Sequence, residues 1–133
     1  MASRRYNPPS NTTSVEYEKN MGEPWFSLIK AGLKKVEGRL NVGNVRDMKK
    51  GDYITFRNSY SGFARVMRVR ITSIGRYKSF EDYLCGEGLE NALPTIDSIE
   101  EGIAVYRKYF SEEDEKKYGV AAIRIQVLTG GRR

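Results

Sequence analysis

The hydrophobic periodicity of the chain changes at Gly32, from the spacing of a helix to that of a β-strand. Before this glycine, apolar residues at i, i+3 and i+4 form one face of a short helix: Trp25, Leu28 and Ile29. After it, three positions alternate with charged residues as in a strand: Val36, Gly38 and Leu40. Because glycine adopts left-handed backbone angles at little cost, Gly32 is the expected end of the helix. A helix followed at once by a strand argues against an all-helical and an all-β fold.

The rest of the chain contains further strands and helices. Alternating apolar residues predict strands at residues 53–56, 63–74 and 122–127. An acidic residue three positions after a serine predicts the start of a helix at three places: Ser79, Ser98 and Ser111. Several connections are too short for a crossover, so the strands cannot all be parallel. We therefore expect a mixed α/β (α+β) fold, a small curved β-barrel with flanking helices.

The length of 133 residues suits one domain with its own core. We place this domain at residues 14–130 and expect residues 1–13, which are polar and contain a basic pair, to form a mobile basic arm. No apolar run is long enough to span a bilayer, and the N-terminus lacks the apolar segment of a secretory signal. We therefore expect a cytoplasmic protein with no membrane partner.

The residue types that zinc prefers are scarce in the sequence. It has no histidine and one cysteine, Cys85, so a zinc site would lack its preferred ligands. A single cysteine also excludes an internal disulfide and fits a reducing compartment. We predict no metal and no cofactor, and we expect Cys85 to be a small buried apolar side chain.

Charge is distributed unevenly along the chain. Residues 30–78 hold 13 lysines and arginines against three acidic residues, a net charge of +10. Residues 79–131 hold 11 acidic and five basic residues, a net charge of −6. Clustered basic charge is typical of proteins that bind nucleic acids. The first half is therefore a candidate anion-binding surface, although solubility alone would also explain the asymmetry.

Three charged residues lie within six positions of each other: Lys34, Glu37 and Arg39. Glu37 and Arg39 share one face of the predicted strand, and Lys34 lies at the turn before it. A lysine and an arginine can hold an anion, while the glutamate can accept a hydrogen bond from a base or act as a general base. The alternative is an ordinary surface ion pair next to a helix end.

Residues outside this cluster are also candidates for contact with RNA. The cations Lys49, Lys50, Arg68 and Arg70 suit backbone phosphates, although a solvated strand face would also explain the two arginines. Asn58 follows a strand, where it would read a base edge or cap a turn. Several aromatic side chains would stack on a base or, more often, belong to the core: Trp25, Phe26, Tyr53, Phe63 and Tyr77.

The motif and its surroundings resemble a known family. Residues 32–39 fit the pattern G-x-K-x-x-E-x-R, and three more segments match: Pro24-Trp25-Phe26, Lys50-Gly51-Asp52 and Ser98-Ile99-Glu100-Glu101-Gly102. The chain thus resembles the ASCH domain, a member of the PUA-like superfamily that is associated with RNA. The resemblance implies a PUA-like β-barrel whose cleft is lined by the motif lysine, glutamate and arginine and binds RNA or a nucleotide.

An enzymatic function is the alternative that the resemblance implies. Some bacterial stand-alone ASCH proteins are amidohydrolases that deacetylate 4-acetylcytidine, and they use the lysine that corresponds to Lys34. They carry threonine in place of Glu37, and their partner glutamate lies in a later helical region, where Glu87 or Glu90 would stand. Ribonuclease activity is also associated with the family. In either enzyme Lys34 and Glu37 would be the catalytic residues.

The glutamate at position 37 shifts the expectation from catalysis toward recognition. We therefore expect a protein that binds RNA or a modified nucleotide, with the amidohydrolase and the ribonuclease as alternatives. A third alternative is a protein-interaction module that uses the acidic helices at residues 98–118.

Overall fold

The structure, a computed structural model, describes residues 13–59, 62 and 64–128. In this part of the chain the strands are β1 Glu16–Asn20, β2 Val36–Leu40, β3 Tyr53–Asn58, β4 Arg65–Tyr77 and β5 Val120–Val127. The α-helices are α1 Trp25–Lys30, α2 Phe80–Glu87, α3 Leu89–Ala92, α4 Ile99–Arg107 and α5 Glu112–Tyr118, and a 3-10 helix covers Gly43–Asp47. All but the last residue of the predicted arm at 1–13 lie outside the described residues.

The strands form one five-stranded sheet in the order β1-β3-β4-β5-β2. β1 pairs with β3 in parallel, and the other pairs are antiparallel. The sheet curls, and its two edge strands meet where Arg39 Nη2 of β2 donates a hydrogen bond to the carbonyl oxygen of Asn20 in β1, at 2.9 Å. A curled sheet with flanking helices confirms the predicted small-barrel α+β fold.

Two hydrophobic cores lie on the two faces of the sheet. The first fills the inside of the curl and includes Ile54, Phe56 and Val69, all 0% exposed. The second packs the helices on the outside, around Phe80 and Tyr83. A bulge in β4 between Ile71 and Ser73 shifts its register with β5. The extra residue of a bulge reverses which side chains point to each face of the sheet. As a result, β4 contributes Ile71 to the first core, and Tyr77 packs against the second.

Local signals placed the end of α1 and the starts of α2, α4 and α5 correctly. The backbone of Gly32 has φ +81°, as expected for the residue that ends α1. The Oγ atoms of the three predicted helix-starting serines each accept a backbone N–H bond: Ser79 from Asp82, Ser98 from Glu101 and Ser111 from Asp114. These side chains satisfy donors that the first turn of a helix leaves unpaired.

Cys85 is exposed, so the expectation of a buried cysteine is wrong. The core-facing positions of α2 are Phe80, Tyr83 and Leu84. Cys85 follows one residue later, which turns its side chain away from that face. None of the helices in the described part of the chain is long and apolar enough to cross a bilayer.

Candidate functional site

A cavity of about 720 Å³ lies beside β2, and the charged motif forms part of its wall. Four of the predicted site residues line it: Lys34, Glu37, Arg39 and Asn58. Four aromatic side chains also line it: Trp25, Tyr106, Tyr109 and Phe110. The sequence prediction that the three motif residues converge on one cleft therefore agrees with their positions in the structure.

Lys34 is buried, with 2% of its surface exposed. Its Nζ donates hydrogen bonds to the carbonyl oxygens of Val36 at 2.8 Å and Ala92 at 2.5 Å, and it lies 3.3 Å from Glu37 Oε1. Burial lowers the pKa of the Lys34 ammonium, and the neighbouring Glu37 carboxylate opposes that change. Because an ammonium has three N–H donors and three partners surround this one, Lys34 positions Glu37 and has no donor left for a phosphate.

The turn between α1 and β2 positions Lys34. The backbone N–H groups of Leu33 and Lys34 both donate to the carbonyl oxygen of Leu28, which reverses the chain after Gly32. Lys35 is exposed, and its N–H donates to the carbonyl oxygen of Asn91, at 2.8 Å. This bond fixes the turn to the end of α3, whose last residue supplies an acceptor for Lys34.

Glu37 and Arg39 form the polar surface that a ligand in the cavity would meet. Glu37 Oε2 accepts a hydrogen bond from Arg39 Nε at 2.9 Å. The Arg39 side chain is 23% exposed, and no described residue accepts a bond from its Nη1. With Lys34 and Glu37 both buried, the cluster is not the surface ion pair that was the alternative interpretation.

Three of the four aromatic side chains of the cavity come from the end of α4 and the turn that follows it. Phe80 stacks on Tyr106 and on Phe110, with ring centroids 4.5 and 5.5 Å apart. Tyr109 is 67% exposed, an unusual position for a large aromatic side chain. None of these three residues, Tyr106, Tyr109 and Phe110, was among the aromatic candidates predicted from the sequence. The sequence feature that could have indicated them is the group of three aromatic residues between positions 106 and 110.

A second carboxylate, which the sequence did not reveal, lies on the cavity wall. Glu23 Oε2 accepts from Arg65 Nη2 at 2.5 Å and from Ser27 Oγ at 2.8 Å. Arg65 Nη2 also donates to Asn58 Oδ1 at 3.3 Å, and Asn58 Nδ2 donates to the carbonyl oxygen of Met21 at 3.0 Å. These bonds hold Asn58 against the segment between β1 and α1, so it has a structural role as well as a place in the wall.

The other predicted cations do not line the cavity. Lys49 Nζ lies 3.2 Å from Oδ1 of the buried Asp52, so its charge is partly compensated. Arg70 Nη2 donates to Gln126 Oε1 at 2.8 Å. The remaining two are the exposed Lys50 and Arg68. These four cations could therefore contact only the phosphates of an RNA that extends beyond the cavity.

Neither glutamate considered as the partner of a catalytic lysine lines the cavity, so that expectation needs correction. Both oxygens of Glu87 accept from Arg124, at 2.8 and 2.6 Å, and Tyr77 Oη donates to Glu87 Oε2 at 2.6 Å. This network joins α2 to β4 and β5, and it occupies both oxygens of Glu87. Glu90, in α3, likewise has no place in the cavity wall.

The buried tyrosines give a pH-dependent prediction. Burial, together with the nearby Glu37 carboxylate, raises the pKa of Tyr106, and burial raises that of Tyr83, whose Oη lies 3.1 Å from Tyr106 Oη. A raised folded-state pKa stabilises the fold below the unfolded tyrosine pKa of about 10, and this stabilisation is lost as the pH rises above it. Each such tyrosine should lower the free energy of unfolding by about 1.4 kcal/mol per pH unit above pH 10.

Urea unfolding of wild type and Tyr106→Phe across this pH range measures the effect. The variant should lose stability less steeply than wild type, because one of the two buried phenols is gone. Any contribution from the lowered pKa of Lys34 is present in both proteins and cancels. Tyr109→Phe, at an exposed position, should follow wild type. Equal slopes for Tyr106→Phe and Tyr109→Phe would contradict the prediction.

Among the described residues, no group of three acidic or cysteine side chains is placed to hold a metal ion.

The comparisons with known proteins identify the family. The sequence model of the ASCH domain matches residues 20–129. A crystal structure of the hypothetical protein PH0355 is 45% identical, covers 86% of this chain and 100% of that chain, and superposes with a TM-score of 0.77. A solution NMR structure of protein PF0455 from Pyrococcus furiosus is 47% identical, with coverages of 86% and 99% and a TM-score of 0.70. The search of curated proteins gave no match. Because the family model spans most of the chain, this protein belongs to the ASCH domain family.

Proposed function

We propose that this ASCH-domain protein binds RNA or a modified nucleotide, with a base seated in the cavity beside β2. The observation that carries the proposal is the pair formed by Glu37 and Arg39 on a wall that also carries four aromatic side chains. Small-molecule sites are typically apolar cavities of about 300–1,000 Å³ with a few polar groups that fix orientation. The protein would act in the cytoplasm, where RNA and its breakdown products are available.

The polar pair is suited to the edge of a nucleobase. Glu37 offers carboxylate oxygens that accept hydrogen bonds, and Arg39 Nη1 offers donors on the same cavity wall. Nucleobase edges place an N–H donor next to a carbonyl or ring-nitrogen acceptor, so both groups would be satisfied at once. A phosphate would instead be repelled by Glu37. The aromatic side chains supply surfaces on which an unstacked base can stack.

The geometry favours binding over hydrolysis. A lysine nucleophile must lose a proton and free its lone pair, whereas Lys34 Nζ is surrounded by two carbonyl oxygens and a carboxylate. Neither Glu87 nor Glu90 lies in the cavity to assist it. Amidohydrolase or ribonuclease activity, with Lys34 and Glu37 as the catalytic groups, is the alternative that product analysis tests.

Outside the cavity, the sequence predicts contacts with flanking phosphates at Lys49, Lys50, Arg68 and Arg70. Lys49 is ion-paired with Asp52 and Arg68 with Glu16, so we propose Lys50 and Arg70 as the open contacts. Such contacts make RNA binding weaken as the salt concentration rises. They would add affinity without selecting a sequence.

Affinity measurements on cavity variants test the site. A panel of nucleosides, nucleotides and short RNAs would be screened by thermal shift, with chromatography of the products. Arg39→Ala and Glu37→Gln should each weaken the best ligand about 10- to 100-fold, because each removes a charge-assisted hydrogen bond. Lys116→Ala, on the exposed surface of α5, should bind like wild type. Equal affinities for wild type and Arg39→Ala would show that the site is wrong, and product formation would show an enzyme.

A further inference from the structure

The arginines beside β1 are not equally available to a ligand. Arg57 Nη2 of β3 lies 3.4 Å from Glu18 Oε2, and Arg68 of β4 forms an ion pair with Glu16. Both glutamates belong to β1, the parallel edge strand. The row of positive charge that the sequence places on β3 and β4 is therefore compensated by a neighbouring strand that carries negative charge.

The strand register produces this pairing. Glu16 lies opposite Tyr53 in β3, and Tyr53 lies opposite Arg70 in β4. Residues two apart share a face of a strand, so Glu16, Glu18, Arg68 and Arg70 all lie on the same face of the sheet. The Arg68 guanidinium lies 3.9 Å from the centre of the Tyr53 ring and reaches across it to Glu16.

Arg70 lies two residues beyond Arg68 but has a neutral partner. Its Nη2 donates to the side-chain oxygen of Gln126, which leaves its positive charge uncompensated. Neighbouring arginines on one strand face thus differ in the charge of their hydrogen-bond partner: Arg68 has a carboxylate and Arg70 an amide.

We propose that Glu16 and Glu18 form an electrostatic screen that suppresses sequence-independent binding of RNA phosphates at Arg57 and Arg68. Contacts between cations and phosphates supply most of the non-specific affinity of a protein for nucleic acid. A phosphate that approaches Arg68 must displace Glu16, and the released carboxylate then repels it. On this face Arg70 remains as the open phosphate contact. This proposal rests on the proposed function. Arg57 also lines the cavity, whereas Arg68 does not.

The screen can be removed without unfolding the protein. The side chains of Glu16 and Glu18 are 57% and 66% exposed, and exposed ion pairs contribute little to stability. Glutamine keeps the shape of both side chains and removes only their charge. The variant Glu16→Gln/Glu18→Gln is therefore expected to fold like wild type.

Binding of a single-stranded oligouridylate, measured over a series of salt concentrations, tests the screen. Two newly available arginines should steepen the slope of log affinity against log salt by about 1.4 and tighten binding about 10-fold at low salt. The matched control, Glu112→Gln/Glu113→Gln on α5, changes the net charge equally but releases no arginine. An equal gain in the control, or no gain in the screen variant, would overturn the proposal.

A double-mutant cycle locates the effect at Arg68. In wild type, Arg68→Gln should change the affinity for oligouridylate less than about twofold, whereas Arg70→Gln should weaken it severalfold. In the Glu16→Gln background, Arg68→Gln should abolish the gain in affinity. If Arg68→Gln already weakens wild type as much as Arg70→Gln does, Arg68 is not screened.

Discussion

Lys34→Ala is expected to destabilise the protein by about 3–5 kcal/mol, the cost of removing one partner from a buried ion pair. The change leaves the carbonyl oxygens of Val36 and Ala92 without their donor and the Glu37 carboxylate without its cation. It also leaves a space where a long side chain was packed. Urea unfolding followed by circular dichroism measures the loss.

Two further variants separate burial from charge. Lys35→Ala removes an exposed lysine next in the chain, and its effect should stay within about 0.5 kcal/mol. Lys34→Met keeps most of the packing, and adding Glu37→Gln should recover part of the lost stability, since the uncompensated carboxylate is then gone. A loss below about 1 kcal/mol for Lys34→Ala would contradict the role given to these contacts.

Gly38→Ala is expected to cost about 3 kcal/mol, at the upper end of the range for overpacked cores. A Cβ atom at this position would lie 2.6 Å from Cζ and 2.8 Å from Oη of Tyr83, a side chain that is fully buried. The ring cannot move aside because it packs on Phe80 and Tyr106. Thermal unfolding should show the loss as a lower midpoint.

Gly22→Ala is the matched control for this prediction. A Cβ atom at Gly22 would meet nothing within 4 Å, so the substitution should leave the midpoint unchanged or raise it slightly. If both glycine variants unfold at the same temperature, the close approach of Tyr83 does not restrict the size of the side chain at position 38, and the prediction is wrong.

The local parts of the fold could be predicted from the sequence, because their causes lie within a few residues. The alternation of apolar and charged residues after Gly32 is a property of the strand itself. A serine cap needs only a hydroxyl three residues before an unpaired backbone N–H. The family resemblance also located the motif, and the match over residues 20–129 confirms the family.

The burial of Lys34 could not be predicted, because it depends on residues far away in the chain. The acceptor at Ala92 lies 58 residues beyond Lys34, and the spacing of the motif alone equally suits a solvated strand. The same holds for Glu87, which the family resemblance made a candidate for the catalytic partner because it lies in the later helical region. Arg124, 37 residues later in β5, pairs with it instead.

The contact between Arg39 and Asn20 has a consequence for the solubility of the fold. Edge strands carry unpaired backbone groups that can recruit a strand from another chain and start aggregation. Here the two edges of the sheet meet at this contact, and the Arg39 guanidinium occupies a backbone acceptor of β1. An incoming strand would have to displace that side chain first. The arginine that lines the cavity therefore also hinders pairing of another chain with the edge strand β1.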